Sequence, residues 1–272
     1  MDWYYLAKDG VSKLLAPTAE YLGDGLRNLA LRRVECIGRI FSNASQKLGD
    51  RLEMSGEVPP AVLRAVLSEA SYREDQLSVE YFGGVLASSR TEHGRDDRGS
   101  RMIKVVDGLT SYQMRTHYLV YSSLSRQFSG SGKRFETAQD RSQMRIFLPA
   151  KEYVDSMDFT HDEWFNPQML HHIWHGLSSD GLIEGEWRFG GAELLRSLFP
   201  SAPHDGFVCT PSTLGAELFL WAFGRSDLPL EALCTADIDT VIDGIPSGVS
   251  NTVVCNDAVQ QRRVQGYEGE GS

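Results

Sequence analysis

From Val11 to Leu52 an apolar residue recurs every three or four positions: Val11, Leu15, Ala19, Leu22, Leu26, Ala30, Val34, Ile37, Phe41, Ala44, Leu48 and Leu52. The eleven steps cover 41 residues, about 3.7 per step, which is a helical period. Pro17 and the Gly23/Gly25 pair interrupt it. The spacing therefore predicts a short helix before Pro17 and a long amphipathic helix from Thr18 to Met54. Arg27, Arg32, Arg33 and Arg39 give that helix a basic polar face, diluted by Glu20, Asp24 and Glu35. Such a helix packs on its own domain, pairs with another copy, or lies on a membrane surface. The residues that carry an interaction role are Leu22, Leu26, Val34, Ile37 and Phe41, flanked by Arg32 and Arg33.

Pro59-Pro60 starts a helix over 60–70 that turns Val62, Leu63, Val66 and Leu67 inward. Ser71 and Glu74 have the spacing of a capping box for the next helix. That helix carries Leu77, Tyr81, Phe82, Val85 and Leu86 on one side, and Gly83-Gly84 inside it favours close approach of another element. Residues 90–101 form a mixed-charge loop, then a helix is expected over 101–107. Thr110 is a candidate N-cap for a helix over 111–127 with Met114, Tyr118, Tyr121 and Leu124 on its inner face.

The glycine-rich run 129–143 reads as a linker, followed by a short extended segment at 144–148. Thr160/Glu163 is a second capping box, and Asn166-Pro167 begins a helix over 167–179 that stops at Asp180-Gly181. Leu182–Phe189 and HDGFVCT read as two strands around a short helix, and Thr210-Pro211 opens a last helix ending at Gly224. This gives a mainly α fold: a helical domain with a long N-terminal amphipathic helix, plus a winged-helix-like unit with a small β-hairpin. The expected divisions are 1–56 (amphipathic N-terminal region), 57–128 (helical core), 129–160 (linker), 161–230 (winged-helix-like unit) and 231–272 (irregular tail).

Charge then narrows the function. Residues 1–150 hold 21 Lys+Arg against 18 Asp+Glu, whereas residues 151–272 hold 6 against 19. An acidic C-terminal half repels a phosphate backbone, and PQMLHHIWHGLSS, where a recognition helix would lie, has no Lys or Arg. A winged-helix DNA-binding regulator is thus the disfavoured alternative. No window is apolar enough for a transmembrane helix, and MDWYYLAKDGVSKLL lacks a signal-like apolar run. The four cysteines, Cys36, Cys209, Cys234 and Cys255, are scattered, as in a reducing compartment. The expected location is the cytoplasm, with peripheral attachment to the inner membrane as the alternative.

Chemistry-bearing motifs are sparse. His171 and His175 stand one helical turn apart, a zinc-compatible spacing, but His172 occupies the position where a HExxH hydrolase carries its glutamate base. HHIWH also reads as an ordinary amphipathic turn with Ile173 and Trp174 inward. SGSGKR lacks the Walker spacing, and no GxSxG elbow occurs. No catalytic residue, metal ligand or cofactor is assigned.

The segment Glu57–Leu124 resembles the bacterial Abi-alpha family, proteins associated with abortive infection and phage defence. The matching residues are Val58-Pro59-Pro60, Glu69-Ala70-Ser71-Tyr72, Glu74-Asp75 with Leu77, Phe82 with Val85–Ser89, and Leu109-Thr110. DGLI (180–183) and TPSTLGAELF (210–219) are similar to the family's C-terminal part. The resemblance implies an all-helical domain with a small hairpin and a role in antiviral defence, and it carries no catalytic residues. The function it points to is a non-enzymatic defence component acting through protein–protein contacts or self-assembly. A membrane-surface effector using the N-terminal helix is the alternative.

Overall fold

The computed structural model describes residues 24–254 apart from 136, 165, 236 and 237, with side chains described from residue 31. It is mainly helical with a small antiparallel sheet. Contacts divide the described residues into two units: one of residues 24–114 and 218–228, the other of residues 115–217 and 229–254.

The first unit is built on α1 (Asp24–Leu48), α2 (Pro60–Glu69), α3 (Gln76–Ser88) and α4 (Arg98–Gly108). α5 (Ser111–Phe128) enters it as far as Met114, and α11 (Thr213–Ala222) from Leu218 onward. α3 lies at the centre, with every residue from Leu77 to Ser88 buried except Glu80. Asp75 caps it, its carboxylate accepting from the Ser78 N–H at 2.8 Å. The Ser71–Glu74 capping box is corrected by this. Ser71 sits buried in a 3-10 turn (Ala70–Tyr72), where its hydroxyl accepts from Arg33 Nε at 3.1 Å.

Two glycines set how closely α3 is packed. A Cβ on Gly83 would lie 2.3 Å from Asn43 Oδ1, and one on Gly84 would lie 1.7 Å from the Ala222 carbonyl oxygen. Ser88 Oγ donates to the Trp221 carbonyl at 3.0 Å in the same seam. Glu80, the one partly exposed residue of that run, meets Lys47 Nζ at 2.8 Å. The long helix expected to reach Met54 ends at Leu48. A 3-10 turn (Gly49–Leu52) follows, with Gly49 at φ 50, a conformation that favours glycine and breaks the α-helical ladder. Arg90 holds this segment by donating to the carbonyls of Arg51, at 2.7 Å, and Met54. α4 starts at Arg98, three residues before the expected position.

The second unit contains α6 (Ala138–Ser142), β1 (Ile146–Pro149), α7 (Ala150–Met157), α8 (His161–Trp164), α9 (Pro167–Ser179), β2 (Arg188–Gly190), α10 (Ala192–Leu195), β3 (Gly206–Cys209) and β4 (Val253–Val254). The Thr160/Glu163 box forms, with Thr160 N donating to Glu163 Oε2 at 2.8 Å. Asn166 caps α9 with Pro167 in its first turn, and α9 ends at Ser179 as predicted.

The helix–strand–strand–helix order is present, and β2 pairs antiparallel with β3. That pair belongs to a larger sheet of order β2-β3-β1-β4. β1 and β3 are buried along their whole length, in the register Ile146↔Cys209 to Pro149↔Gly206. Side-chain alternation divides the core. Phe207 stacks on Trp174 (5.1 Å) and packs on Tyr153 (4.5 Å). Val208 joins Phe147, Leu195 and Phe199 in a separate cluster.

Several expected boundaries shift accordingly. Residues 129–160 hold α6, β1 and α7, and the unit they belong to begins at Arg115. Residues 231–254 are packed: Leu233, Cys234, Ile242 and Val249 are buried, and β4 pairs with β1. The last helix starts at Thr213, two residues beyond the Thr210-Pro211 pair. Within Leu182–Phe189, Ile183 forms an isolated bridge to Pro211, and only Arg188 and Phe189 enter β2. The helix before Pro17 and residues 255–272 lie outside the described residues.

The seam at α3 gives a direct test. Gly84→Ala has to displace backbone and is expected to destabilise by about 3 kcal/mol or more. Gly108→Ala, with open space around its Cβ, is expected to be neutral or stabilising by about 0.5 kcal/mol. Urea unfolding of both variants measures the difference. Equal effects would contradict the tight approach at Gly84.

Candidate functional site

Three groups of residues carry enough chemistry to be weighed as sites, and the sequence anticipated two of them.

The first is the interaction face of α1. Its buried stripe is Cys36, Ile40, Asn43, Ala44 and Leu48. Val34, Ile37 and Phe41 stand beside that stripe, half-buried. Leu22 lies outside the described residues, and Leu26 lies within α1 with its side chain outside them. Arg33 is half-buried and is spent inside the unit: its Nε donates to Ser71, and its guanidinium lies 4.6 Å over the Tyr72 ring. Arg39 donates to the Glu74 carbonyl at 2.7 Å and to Gln76 Oε1 at 3.1 Å. Arg32 remains exposed, 3.5 Å from Glu74, a surface pairing of small energetic weight. The basic face thus serves largely to hold α1 to the turn before α3.

The second is the histidine turn of α9. His171, His172 and His175 are exposed, while Ile173 and Trp174 are buried, as an amphipathic turn requires. The His171 ring packs edge-on against Phe189 at 5.4 Å and Trp187 at 6.4 Å. Among the described residues no three His, Cys, Asp or Glu side chains converge on a metal position.

The third was not legible in sequence, because its members are far apart along the chain. His117 and Tyr121 are fully buried on α5, with rings 4.6 Å apart. His117 Nε2 donates to the Gly215 carbonyl at 3.0 Å. Tyr121 donates to the Leu182 carbonyl at 2.7 Å and accepts from Ser212 N–H at 3.0 Å. Ser212 Oγ donates to the Gly181 carbonyl at 2.6 Å and accepts from Gly215 N–H at 3.0 Å. The triad-like set of Ser212, His117 and Tyr121 is therefore occupied with backbone. Ser212 serves as a cap and strap, and its hydroxyl has no base within its bonding set.

Desolvation agrees with this structural role. Burial lowers His117 to about 3, opposed by its bond to Gly215, so the ring is neutral at pH 7. Burial raises the Tyr121 and Tyr153 hydroxyls, and it pushes the Cys209 and Cys234 thiols up to about 12. Cys36 is raised as well, first by burial. These thiols are poor nucleophiles, since the thiolate is the reactive form.

Two of the cations near the β2–β3 pair are neutralised, while Arg188 of β2 donates to the Ser197 hydroxyl. Arg141 Nε meets Glu184 at 2.8 Å, and Arg145 Nη2 meets Glu186 at 3.3 Å. Arg188 alone is a weak basis for holding a phosphate backbone, which takes several cations. No helix among the described residues is long and apolar enough to cross a membrane.

The fold and these sites define a mainly helical chain with a small antiparallel sheet, in which buried His117, Tyr118, Tyr121 and Ser212 bind backbone. Compared with protein-family models, with curated proteins and with solved structures, the chain matches none.

The buried histidine gives a pH dependence with a definite sign. Its folded pKa lies below the unfolded value of about 6.5. Between about 6.5 and 3 the unfolded chain therefore binds the extra proton, and stability falls as pH falls, by up to about 1.4 kcal/mol per pH unit. The window from about pH 6.5 to 5 is where the unfolded chain takes up the proton that buried His117 refuses. Denaturant titrations there should show a steep wild-type slope and a flatter one for His117→Gln. Identical slopes would place the proton uptake elsewhere. Tyr121→Phe leaves a buried carbonyl and a buried N–H with one partner fewer and is expected to cost about 3 kcal/mol.

Proposed function

We propose that this chain is a non-enzymatic component of bacterial antiphage defence, of the abortive-infection type, and that it acts by self-assembly through α1. One observation carries the assembly: α1 has more apolar width than its own unit covers. At roughly 100° per residue, the sector beside the buried stripe holds Leu31, Val34, Gly38, Phe41, Ser42 and Ser45. None is charged. Leu31 is 37% exposed, Ser42 and Ser45 are exposed, and Val34, Gly38 and Phe41 are half-buried.

The occupant proposed for that sector is α1 of a second copy. A twofold pair brings the same patch against itself, so a patch without charge meets no like-charge repulsion at its centre. Gly38, Ser42 and Ser45 are small enough for two helix axes to approach within about 8 Å. Toward the N-terminus the same step of roughly 100° puts Arg27 in line with the sector and Leu26 in line with the buried stripe, so the uncharged patch is that of residues 31–45. The setting in defence rests on the Abi-alpha resemblance of Glu57–Leu124, DGLI and TPSTLGAELF. The resembling residues are helix starts, helix ends and packing positions, which accords with a function exercised by contact.

Size-exclusion chromatography with light scattering tests the assembly. Wild type is expected to run as a dimer or larger, and Ser42→Arg, an exposed change, to shift it to monomer with an unaltered melting temperature. A strict wild-type monomer would sink the self-assembly reading. A plaque assay tests the setting: expression should lower phage plating at least about tenfold, and Ser42→Arg should restore it. Unchanged plating with wild type would sink the defence reading.

A further inference from the structure

On the second unit a cleft of about 600 Å³ opens beside α7, lined also by Trp164 at the end of α8 and by His204 and Asp205 ahead of β3. Small-molecule sites commonly occupy roughly 300–1,000 Å³, so the volume suits a ligand of modest size. Its rim is built from fixed pieces. The Asp205 carbonyl accepts from Ala150 N–H at 3.1 Å and from His204 Nδ1 at 3.0 Å, which ties the turn to the start of α7. The His204 ring is also held edge-on against Phe147 at 5.4 Å.

Charge in the cleft is unbalanced. Glu152, Asp155 and Asp205 contribute carboxylates against one ammonium, Lys151. Lys151 Nζ is already 2.5 Å from Asp155, one helical turn along. That leaves Glu152 and Asp205, and neither forms an ion pair with another described residue. Glu152 is braced by Asn251, whose Nδ2 donates to Oε1 at 3.0 Å. That hydrogen bond is the main cause holding the Glu152 carboxyl below its usual range, so it is ionised at neutral pH. Trp164 adds a half-buried indole beside these charges, and an indole face attracts cations. An anion would meet an excess of negative charge, with Glu152 only partly offset by the nearby His204 and Lys151. A neutral ligand would displace water from two carboxylates without replacing it by an ionic partner.

We infer that this cleft binds an organic cation, an ammonium or guanidinium on an alkyl stem, with the charge between Glu152 and Asp205 and the stem against Trp164. A free polyamine and a basic side chain of a protein partner share this chemistry. The site is independent of the α1 assembly, since none of its residues lies on α1.

Isothermal titration of the full chain at low ionic strength tests it, with spermidine and N-acetyl-arginine amide as probes. At least one probe is expected to bind with a Kd of about 1 mM or tighter. Tighter binding of spermidine points to a free polyamine, and tighter binding of the arginine amide to a partner's side chain. The double variant Glu152→Gln/Asp205→Asn should weaken that binding about tenfold and Trp164→Leu several-fold, with far-ultraviolet circular dichroism unchanged. Glu193→Gln, an exposed carboxylate on α10, should leave it as in wild type. No heat from either probe at 10 mM overturns the inference. So does equal weakening by Glu193→Gln and the double variant, because that pattern is diffuse attraction to an acidic surface.

Discussion

The burial of α3 on nearly every side is the constraint on which the first unit depends. A helix enclosed this way needs apolar residues around its circumference, and it needs neighbours that come close enough to leave no gap. The sequence supplies the apolar residues from Leu77 to Ala87, and Gly83 and Gly84 supply the close approach. With no Cβ at these two positions, Asn43 of α1 and the Ala222 carbonyl rest directly on the α3 backbone. Glycine within a helix costs about 1 kcal/mol relative to alanine. The cost is offset by contacts that any larger residue would abolish. Lys47–Glu80 at one edge and Ser88–Trp221 at another then fix the rotation of α3 about its own axis.

The second unit is held differently, by side chains that satisfy backbone. Tyr121, Ser212 and Tyr118 reach the carbonyls of Leu182, Gly181 and Thr240, in segments with little regular structure of their own, and His117 reaches that of Gly215 in the first turn of α11. Irregular backbone can be buried only if its polar groups find partners, and these residues provide them. The same arrangement removes them from chemistry. A histidine stripped of water and bonded to a carbonyl is neutral, and thiols pushed up by burial are unreactive. Residue types that suggest catalysis when read along the chain are here part of the packing.

What the molecule turns outward is therefore more informative about function. The uncharged sector of α1 lies next to a stripe already committed to α3, so the helix is uncharged over more of its surface than one neighbour uses. On the second unit the outward chemistry is electrostatic: Glu152 and Asp205 share a cleft with an indole, and neither forms an ion pair with another described residue. The acidic excess after residue 150 appears in the structure in two forms. Glu184 and Glu186 neutralise arginines, whereas the cleft carboxylates remain available.

Local physics made much of this fold legible in sequence. Thr160 with Glu163, Asn166 with Pro167, and the Asp180-Gly181 stop act within three or four residues, so α8 and α9 could be placed without tertiary information. The stripe Met114, Tyr118, Tyr121 and Leu124 declared itself as core by period alone, and all four are fully buried. Where a local signal met a stronger distant partner, tertiary structure chose. Ser71 had the spacing of a cap, but Arg33 draws it into a buried turn, and Asp75 caps α3 instead. The α1 residues Val34, Ile37 and Phe41 were correctly read as apolar and periodic, while their half-burial depended on which face α3 took. Features joined across long stretches of chain were not legible at all. β1 pairs with β4 roughly a hundred residues away, Gly84 meets Ala222, and the cleft gathers residues from α7, α8, a turn near residue 204 and Asn251. The sequence by itself determined α8, α9 and the inward faces of α3 and α5, because caps and periods are short-range. Only the tertiary structure decided the four-stranded sheet, the fate of the polar residues and the cleft, because each depends on which distant segments exclude water from one another.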